Sequence, residues 1–536
     1  MTSASSVRPF GDGAVVVDMD SVEEAHATAA SLDDLDQPGI EDVIVGYRSV
    51  TVVADPTVTD VPLLVDMLGS RQPAEPAESL GRLIEIPVAL DGGDLDEVAR
   101  MAGMTPQRVV ALLTSAQLRV AFVGFAPGFA YLVGLDPDLA AIARRATPRP
   151  AVPAGSVGLA GGFVGIYPQT SPGGWHLVGR TDMQLFDPSA PPYSALRAGD
   201  RVRLCLTTLE QATETDPMPG LRPPLASEAE RRLVVEDAGL LSFVQDRGRL
   251  GWARLGVPRA GAADPYALRM ANRLVGNDEG GAAIEITAHG PALRFTAPAY
   301  VAVAGLADVR VNGRSVPTST VVPVDAGQTM TTGTPGGMRG YIAVGGGIET
   351  PTILGSRSSD VLCGLGIGPL RRGDTLGIGP PVRPRGQARH GSGPGDTAIL
   401  RVVAGPDAFP PATVERLLST TWEVDPSSNR VGVRFRGAPI PGVALPDAGS
   451  RGMITGAIQL PPDGRPIALL CDHATVGGYP VIATVASADL GVLGQLRPGD
   501  AVRLEPVDLV EAARARAGCE REIGEGVAGW YPVRTD

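Results

Sequence analysis

Leu196-Arg-Ala-Gly-Asp200 is a five-residue phrase that recurs as Leu370-Arg-Arg-Gly-Asp374 and Leu496-Arg-Pro-Gly-Asp500, each time just before an apolar run that reads as a strand. Gly-Asp in that place predicts a turn with φ > 0 at glycine, so Asp200, Asp374 and Asp500 read as structural. Each copy follows a glycine pair and an apolar or aromatic residue: Gly173-Gly174-Trp175, Gly346-Gly347-Ile348 and Gly477-Gly478-Tyr479. From the second glycine of each pair to the glycine of the turn the spacing is 25, 26 and 21 residues, which marks an internal repeat. The economical interpretation is three related β modules in one chain.

Upstream of the first copy, residues 91–210 carry two helical segments, Leu95 to Met101 and Pro106 to Gln117. Gly- and Pro-punctuated apolar bursts follow from Arg119 to Leu206, the pattern of a β-barrel or sandwich. Residues 1–90 alternate instead. A strand through Ala14 to Val17 leads to a helix from Ser21 with Glu24 at the capping-box position. Strands at Ile40 to Val45 and Val50 to Ala54, a helix at Val61 to Leu68 and a strand at Leu83 to Leu90 complete a small α/β unit. Residues 211–230 form a linker, because Asp216-Pro-Met-Pro-Gly-Leu-Arg-Pro-Pro224 suits neither a helix nor a central strand. The second module spans 231–380, a Gly-, Pro- and Arg-rich linker 381–397, the third module 398–510 and a tail 511–536. The expected fold class is mainly β with a small N-terminal α/β domain.

At 536 residues the chain is long enough for several cores. Its 69 Gly and 49 Pro would suit disorder, but 43% hydrophobic residues recurring between turn signals mean many short strands. All 46 basic residues are Arg. Without Lys, the chain cannot carry covalently bound biotin or a lipoyl group, form a Schiff base with pyridoxal phosphate or complete a Walker A loop. Any phosphate or carboxylate must be met by Arg or backbone N–H groups. A net charge of −13 with no run of Arg argues against nucleic acid as a partner. Cys205, Cys363, Cys471 and Cys519 lack C-x-x-C spacing and any ligand cluster, so no metal site is expected and free thiols in a reducing cytoplasm are. The segment Met1 to Val7 is polar and no apolar stretch approaches the roughly 20 residues of a membrane span, so a cytoplasmic protein without membrane contact is expected. Glycine triplets such as Gly345-Gly-Gly347 do not follow the dinucleotide-binding pattern.

The densest polar signal is Val152-Pro-Ala-Gly-Ser156 followed by Gly165 to Thr181. It gathers Ser156, Gly173, Gly174, Trp175, His176 and Arg180 into strand-flanked loops able to hold an anion or a planar amide. His176 reads either as a catalytic or ligand-contacting group or as a buried, hydrogen-bonded histidine, and Arg180 as a carboxylate or phosphate fork. In the third module Gln459, His473 and Tyr479 form a comparable group. Cys471 reads as a small buried thiol rather than a nucleophile. In the middle module Asp264, Asn272 and Arg357 either line a pocket or cap helices and turns. His26, His289 and His390 are assigned no role.

Phe125-Ala-Pro-Gly-Phe-Ala-Tyr-Leu132, Pro153-Ala-Gly-Ser156 and Ser171-Pro-Gly-Gly-Trp-His-Leu-Val-Gly-Arg-Thr181 resemble the B subunit of the bacterial ATP-dependent 5-oxoprolinase. Gln245-Asp-Arg-Gly-Arg249, Gly256-Val-Pro258, Ala271-Asn-Arg-Leu-Val-Gly-Asn277, Gly355-Ser-Arg-Ser358, Ser428-Asn-Arg430 and Gly456-Ala-Ile-Gln459 resemble the C subunit of that enzyme. The resemblance runs from about Phe10 to Val507, as a B–C fusion joined at Pro217 to Pro224. It implies three cyclophilin-like β-barrels, one in the B part behind the α/β domain and two in the C part.

It further implies a component that hydrolyses 5-oxo-L-proline to L-glutamate, with ATP and Mg, alongside a separate A subunit. Under that reading His176 and His473 serve proton transfer. Arg180 and the Gly173-Gly174 backbone serve binding beside Ser156 and Trp175. Gln459, Arg430 and His473 form a second half-site with Tyr479, and Arg357 and Asp264 are further phosphate or substrate contacts. A homo-oligomer is compatible with the sequence. The same modules occur in the carboxyltransferase part of urea carboxylase and in a kinase-inhibitor pair. The alternatives are therefore a carboxyltransferase-like component served by an outside biotin carrier, or a non-catalytic protein that docks on a histidine kinase.

Overall fold

A computed structural model describes residues 6–33, 37–70, 81–208, 225, 229–306, 308–318, 320–385, 389–390, 397–440, 449–525 and 527–528. The three Leu-Arg-x-Gly-Asp phrases fold into one turn used three times. Gly199, Gly373 and Gly499 have φ of 89°, 91° and 89°. Each aspartate side chain accepts from the backbone N–H of the arginine three residues earlier, at 2.9, 2.7 and 2.8 Å for Arg197, Arg371 and Arg497. Each glycine N–H donates to the carbonyl of Val120, Val235 or Val424, and the same valine N–H donates back to the aspartate carbonyl. The turn therefore staples the strand it starts to an earlier strand of its module. A Cβ on Gly499 would meet open space, so Gly499→Ala tests the backbone alone. We expect it to cost about 1–2 kcal/mol, read as a lowered melting temperature. An unchanged melting temperature would show that the turn relaxes.

The N-terminal unit is a four-stranded antiparallel sheet, in the order Ser6–Pro9, Ala14–Asp18, Ser49–Ala54, Ile40–Gly46, carrying helices Val22–Asp33 and Val61–Gly69. Ser21 Oγ accepts from the Glu24 N–H at 3.1 Å and Glu24 Oε2 from the Asp20 N–H at 3.0 Å, so the reciprocal capping pattern forms. Leu83–Val88, grouped with this unit in the sequence reading, instead pairs in parallel with Arg201–Leu206. Its alternation identifies a strand but not the sheet it joins. It is one edge of a seven-stranded sheet whose other edge is His176–Arg180. An antiparallel bridge between Ala89 and Arg180 joins the two edges, making a barrel.

The middle module stacks a seven-stranded on a five-stranded sheet around one core that includes Leu233, Phe295, Ile284 and Val301. After its turn, Thr375–Ile378 pairs antiparallel with Arg232–Asp237 and Ile348–Glu349. The third module is a closed seven-stranded barrel in which Ala501–Pro506 runs parallel to Thr397–Ala404. The fold class is thus mainly β with barrel-like sheets. The linker 211–230, apart from residues 225, 229 and 230, lies outside the described residues, as do 386–388 and 391–396 of the second linker.

The tail is structured where it is described. Helix Leu509–Glu525 joins the N-terminal unit to the middle module: Arg516 pairs with Asp12 at 3.1 Å, and Glu520 with Arg269 at 2.6 Å. Ile523 enters the apolar cluster around helix Pro265–Val275. Asp264 caps that helix. Its Oδ1 accepts from the Ala267 N–H at 3.0 Å and its Oδ2 from Gln495 Nε2 at 2.9 Å. Of the two readings of Asp264, capping is the one its contacts describe. Among the described residues no helix is long and apolar enough to cross a membrane.

Candidate functional site

The N-terminal sheet docks on both later modules. Phe10, Ala14 and Val16 pack with Met453, Ala457 and Val481 of the third barrel. Asp42 accepts from the N–H groups of Gly251 and Ala253 in the middle module, both at 3.1 Å. Between these contacts lies a cavity of about 910 Å³, walled by all three parts and by Arg516 and Glu520 of the C-terminal helix.

At one end of the cavity charges from distant segments meet. Arg259 Nη1 lies 2.7 Å from Glu41 Oε2, and Arg247 Nη2 lies 3.9 Å from Asp55 Oδ2. Burial pushes the Asp42 carboxyl up to about 6 despite its two backbone donors. Burial also acts to raise Asp55, but hydrogen bonds from Thr57 and the charges of Arg247 and Arg259 hold it below its ordinary value. His473, buried on the same wall, has Nδ1 2.8 Å from the carbonyl of Ala474. A carbonyl can only accept, so Nδ1 carries the proton and Nε2 keeps its lone pair. Burial, aided by Arg259, lowers the pKa of His473 and keeps the ring neutral near pH 7. A neutral imidazole beside Arg259 can take a proton from water next to a bound anion.

His473 is in a turn, not a strand, and it does not form a trio with Gln459 and Tyr479. Gln459 Nε2 faces Met453 Sδ at 3.5 Å, Tyr479 is 48% exposed, and among the described residues no hydrogen bond joins the three. Cys471, on the cavity wall, is held as a thiol because burial raises its pKa.

Arg430, expected as a cation for a ligand, is instead enclosed by protein carboxylates. It forks onto Asp472 through Nε and Nη2, both at 2.9 Å, bonds Glu285, and donates to the Gly261 carbonyl at 2.6 Å. Arg357 donates its backbone N–H to Asp246 Oδ2 at 2.7 Å.

The loop singled out in the first barrel does not line this cavity. Trp175 is buried edge-on against Phe129 and Tyr131, with centroids 5.6 and 5.5 Å away, so it fills the barrel. Gly173 makes room for Tyr167, whose hydroxyl oxygen would stand 2.3 Å from an added Cβ, and the Gly174 carbonyl accepts from the Arg145 N–H at 2.8 Å. Ser156 is buried opposite Arg180 in the sheet. His176 is buried with Nε2 3.2 Å from the Ala143 carbonyl and Nδ1 3.8 Å from Glu97 Oε2. Arg180 reaches Asp91 at 3.1 Å.

The carboxyltransferase-domain family models match both halves: subdomain C and D over residues 5–196, and subdomain A and B over residues 255–506. The 5-oxoprolinase C subunit of Escherichia coli K12 is 35% identical over 296 residues, spanning 53% of this chain and 94% of that protein. The 5-oxoprolinase B subunit of Bacillus subtilis is 36% identical over 224 residues, spanning 38% of this chain and 93% of that protein. This chain belongs to the family of the 5-oxoprolinase B and C subunits, as a fusion of B-like and C-like parts. The crystal structure of TTHA0988 superposes with a TM-score of 0.83 at 35% identity, covering 93% of this chain and 99% of that one. In these terms Glu41, Asp42 and Asp55 come from the B-like part and Arg247, Arg259 and His473 from the C-like part. The cavity therefore needs both parts.

Arg247 belongs to a motif quoted from the sequence, and Arg259 directly follows another. Glu41 and Asp42 interrupt an apolar strand, a signal for a charged edge but not for a site.

Proposed function

We propose that the chain is the B–C component of an ATP-dependent 5-oxoprolinase that opens 5-oxo-L-proline to L-glutamate with a separate A-type subunit. The observation that carries this reading is a single cavity whose charged wall is assembled from both parts, each resembling one 5-oxoprolinase subunit. The lactam is resonance-stabilised and needs activation before water can attack. Its amide oxygen bonds the γ-phosphorus of ATP as the bond to ADP breaks. Water then adds to the activated carbon and the carbon–nitrogen bond opens to give an acyl phosphate. A second water adds to that carbon as inorganic phosphate leaves with the activating oxygen, so that the glutamate carboxylate carries two oxygens from water. Arg259 binds the substrate carboxylate, and His473 Nε2 takes the proton from water. His176 and Arg180, facing Glu97 and Asp91, serve the first barrel.

MgATP is a substrate in this scheme. Its Mg²⁺ would be carried on the nucleotide phosphates. The free thiols, three of them buried, suit a reducing cytoplasm.

The carboxyltransferase description of both family models favours a second reading, transfer from an external biotin carrier. One assay separates the two. The purified chain, with and without an A-type subunit, is given 5-oxoproline and MgATP while glutamate and ADP are measured. Stoichiometric glutamate and ADP are expected with the A-type subunit, and no glutamate under any combination overturns the proposal. A histidine-kinase-docking protein would likewise give no turnover.

A further inference from the structure

A second cavity, of about 630 Å³, lies between the B-like and C-like parts and is walled by segments 188–193, 246–252 and 352–355 with Gly280. Asp246, Arg247 and Gly280 line both cavities, so they form the partition between them. The Arg247 stem lies across Gly280, where an added Cβ would stand 2.2 Å from its Cδ. Its side chain is 56% exposed, with Asp55 3.9 Å away. Asp246 is bonded within the protein. Its carboxylate accepts from the Ser356 and Ser358 hydroxyls, both at 2.6 Å, and from the N–H groups of Gly248 and Arg357 at 2.8 and 2.7 Å. Arg247 is thus the partition charge with reach left for a ligand.

The rest of the smaller cavity is graded. Tyr193 and Trp252, edge to face with centroids 5.1 Å apart, supply an aromatic wall beside Leu250 and Leu354. Ser189 and Thr352 supply hydroxyls. An aromatic wall suits a base, hydroxyls suit a ribose, and a guanidinium suits phosphates in a chain without Lys. We propose that the smaller cavity binds the adenine nucleotide and that Arg247 holds its terminal phosphate at the partition, facing the substrate in the larger cavity. This inference rests on the ATP-dependent reading above. The lactam oxygen bonds the γ-phosphorus while the electrons of the broken phosphorus–oxygen bond leave with Mg-bound ADP on the smaller cavity's side.

The test photolabels the assembly of full chain and A-type subunit with 8-azido-ATP and Mg²⁺. Labelled peptides are expected within 188–193, 246–252 or 352–355, with labelling suppressed by excess ATP. Thr352→Trp, an exposed rim substitution that fills the cavity, should raise the KM for ATP at least about tenfold and leave that for 5-oxoproline within about twofold. Gly280→Ala, which pushes Arg247 aside, should lower kcat. Labelling confined to other segments or to the A-type subunit, no specific labelling, or an unchanged KM for ATP in Thr352→Trp overturns the inference. Glutamate production with label elsewhere would sink this site and leave the proposed function standing. Protected labelling of these segments without glutamate would do the reverse.

Discussion

Arg430→Met should destabilise the contact between the middle and third modules by about 3–5 kcal/mol, read from urea unfolding followed by tryptophan fluorescence. Arg430, Glu285 and Asp472 have side chains 4%, 0% and 0% exposed, so none of the three charges can turn to water when a partner is lost. Burial works against the Arg430 charge, but Asp472, with Glu285, outweighs it and drives its pKa well above the ordinary value. Burial likewise acts to raise Glu285, and the charges of Arg430 and Arg339 hold it down. The two shifts agree that the pair is ionised.

Removing the guanidinium leaves Asp472 with the Val361 N–H at 3.1 Å and Glu285 with Arg339 at 3.6 Å, beside the Ala263 N–H and Tyr341 hydroxyl. Those contacts do not balance two buried carboxylates. Neutralising all three in Arg430→Met/Glu285→Gln/Asp472→Asn should recover at least about half of the loss, because the cost lies mainly in the uncompensated charges. A single substitution costing under about 1 kcal/mol would mean that the network does not lock the modules.

The repeated turns were legible because one backbone requirement, left-handed glycine before a capping aspartate, left the same residues at 199–200, 373–374 and 499–500. Helix Leu95–Met101 was legible to the residue. Leu83–Val88 was visible as a strand but not as part of the barrel, because parallel pairing with a strand over a hundred residues away leaves no local trace. The C-terminal helix was missed for a related reason. Its purpose appears only with its partners, Asp12 at one end of the chain and Arg269 in the middle.

The site divided in the same way. His473 stood out as one of a polar group with Gln459 and Tyr479, whereas Arg430 stood out for the wrong reason. Its partner Glu285 is 145 residues away, so a cation committed within the core looked like one awaiting a ligand. Conversely, the sequence presents Trp175 and Gly173 as ligand contacts because packing and binding draw on the same residues, and only Phe129, Tyr131 and Tyr167 around them decide for packing. Glu41, Asp42, Asp55 and Arg259 were unmarked, since their meeting with His473 depends on the docking of three modules.

His473→Gln should lower kcat for 5-oxoproline opening by about 10²–10⁴-fold, with the KM for 5-oxoproline little changed and the fold intact. Glutamine keeps a polar head of similar reach but has no basic nitrogen, so the loss reports proton transfer rather than shape. The wild-type pH profile carries the sign. Burial lowers the folded-state pKa of His473 below the ordinary value of 6.5, so the active neutral form persists to lower pH than for a free histidine. kcat/KM should therefore be flat near pH 7 and fall only on the acid side, below 6.5. Arg259 contributes to that depression. Arg259→Gln should move the acid limb upward in pH while raising the KM for 5-oxoproline, two effects that come from one guanidinium only if it faces both the histidine and the substrate carboxylate. If His473→Gln retains more than about a tenth of wild-type kcat, His473 is not the base. An acid limb that stays in place in Arg259→Gln would separate the arginine from the histidine and move the chemistry out of this end of the cavity.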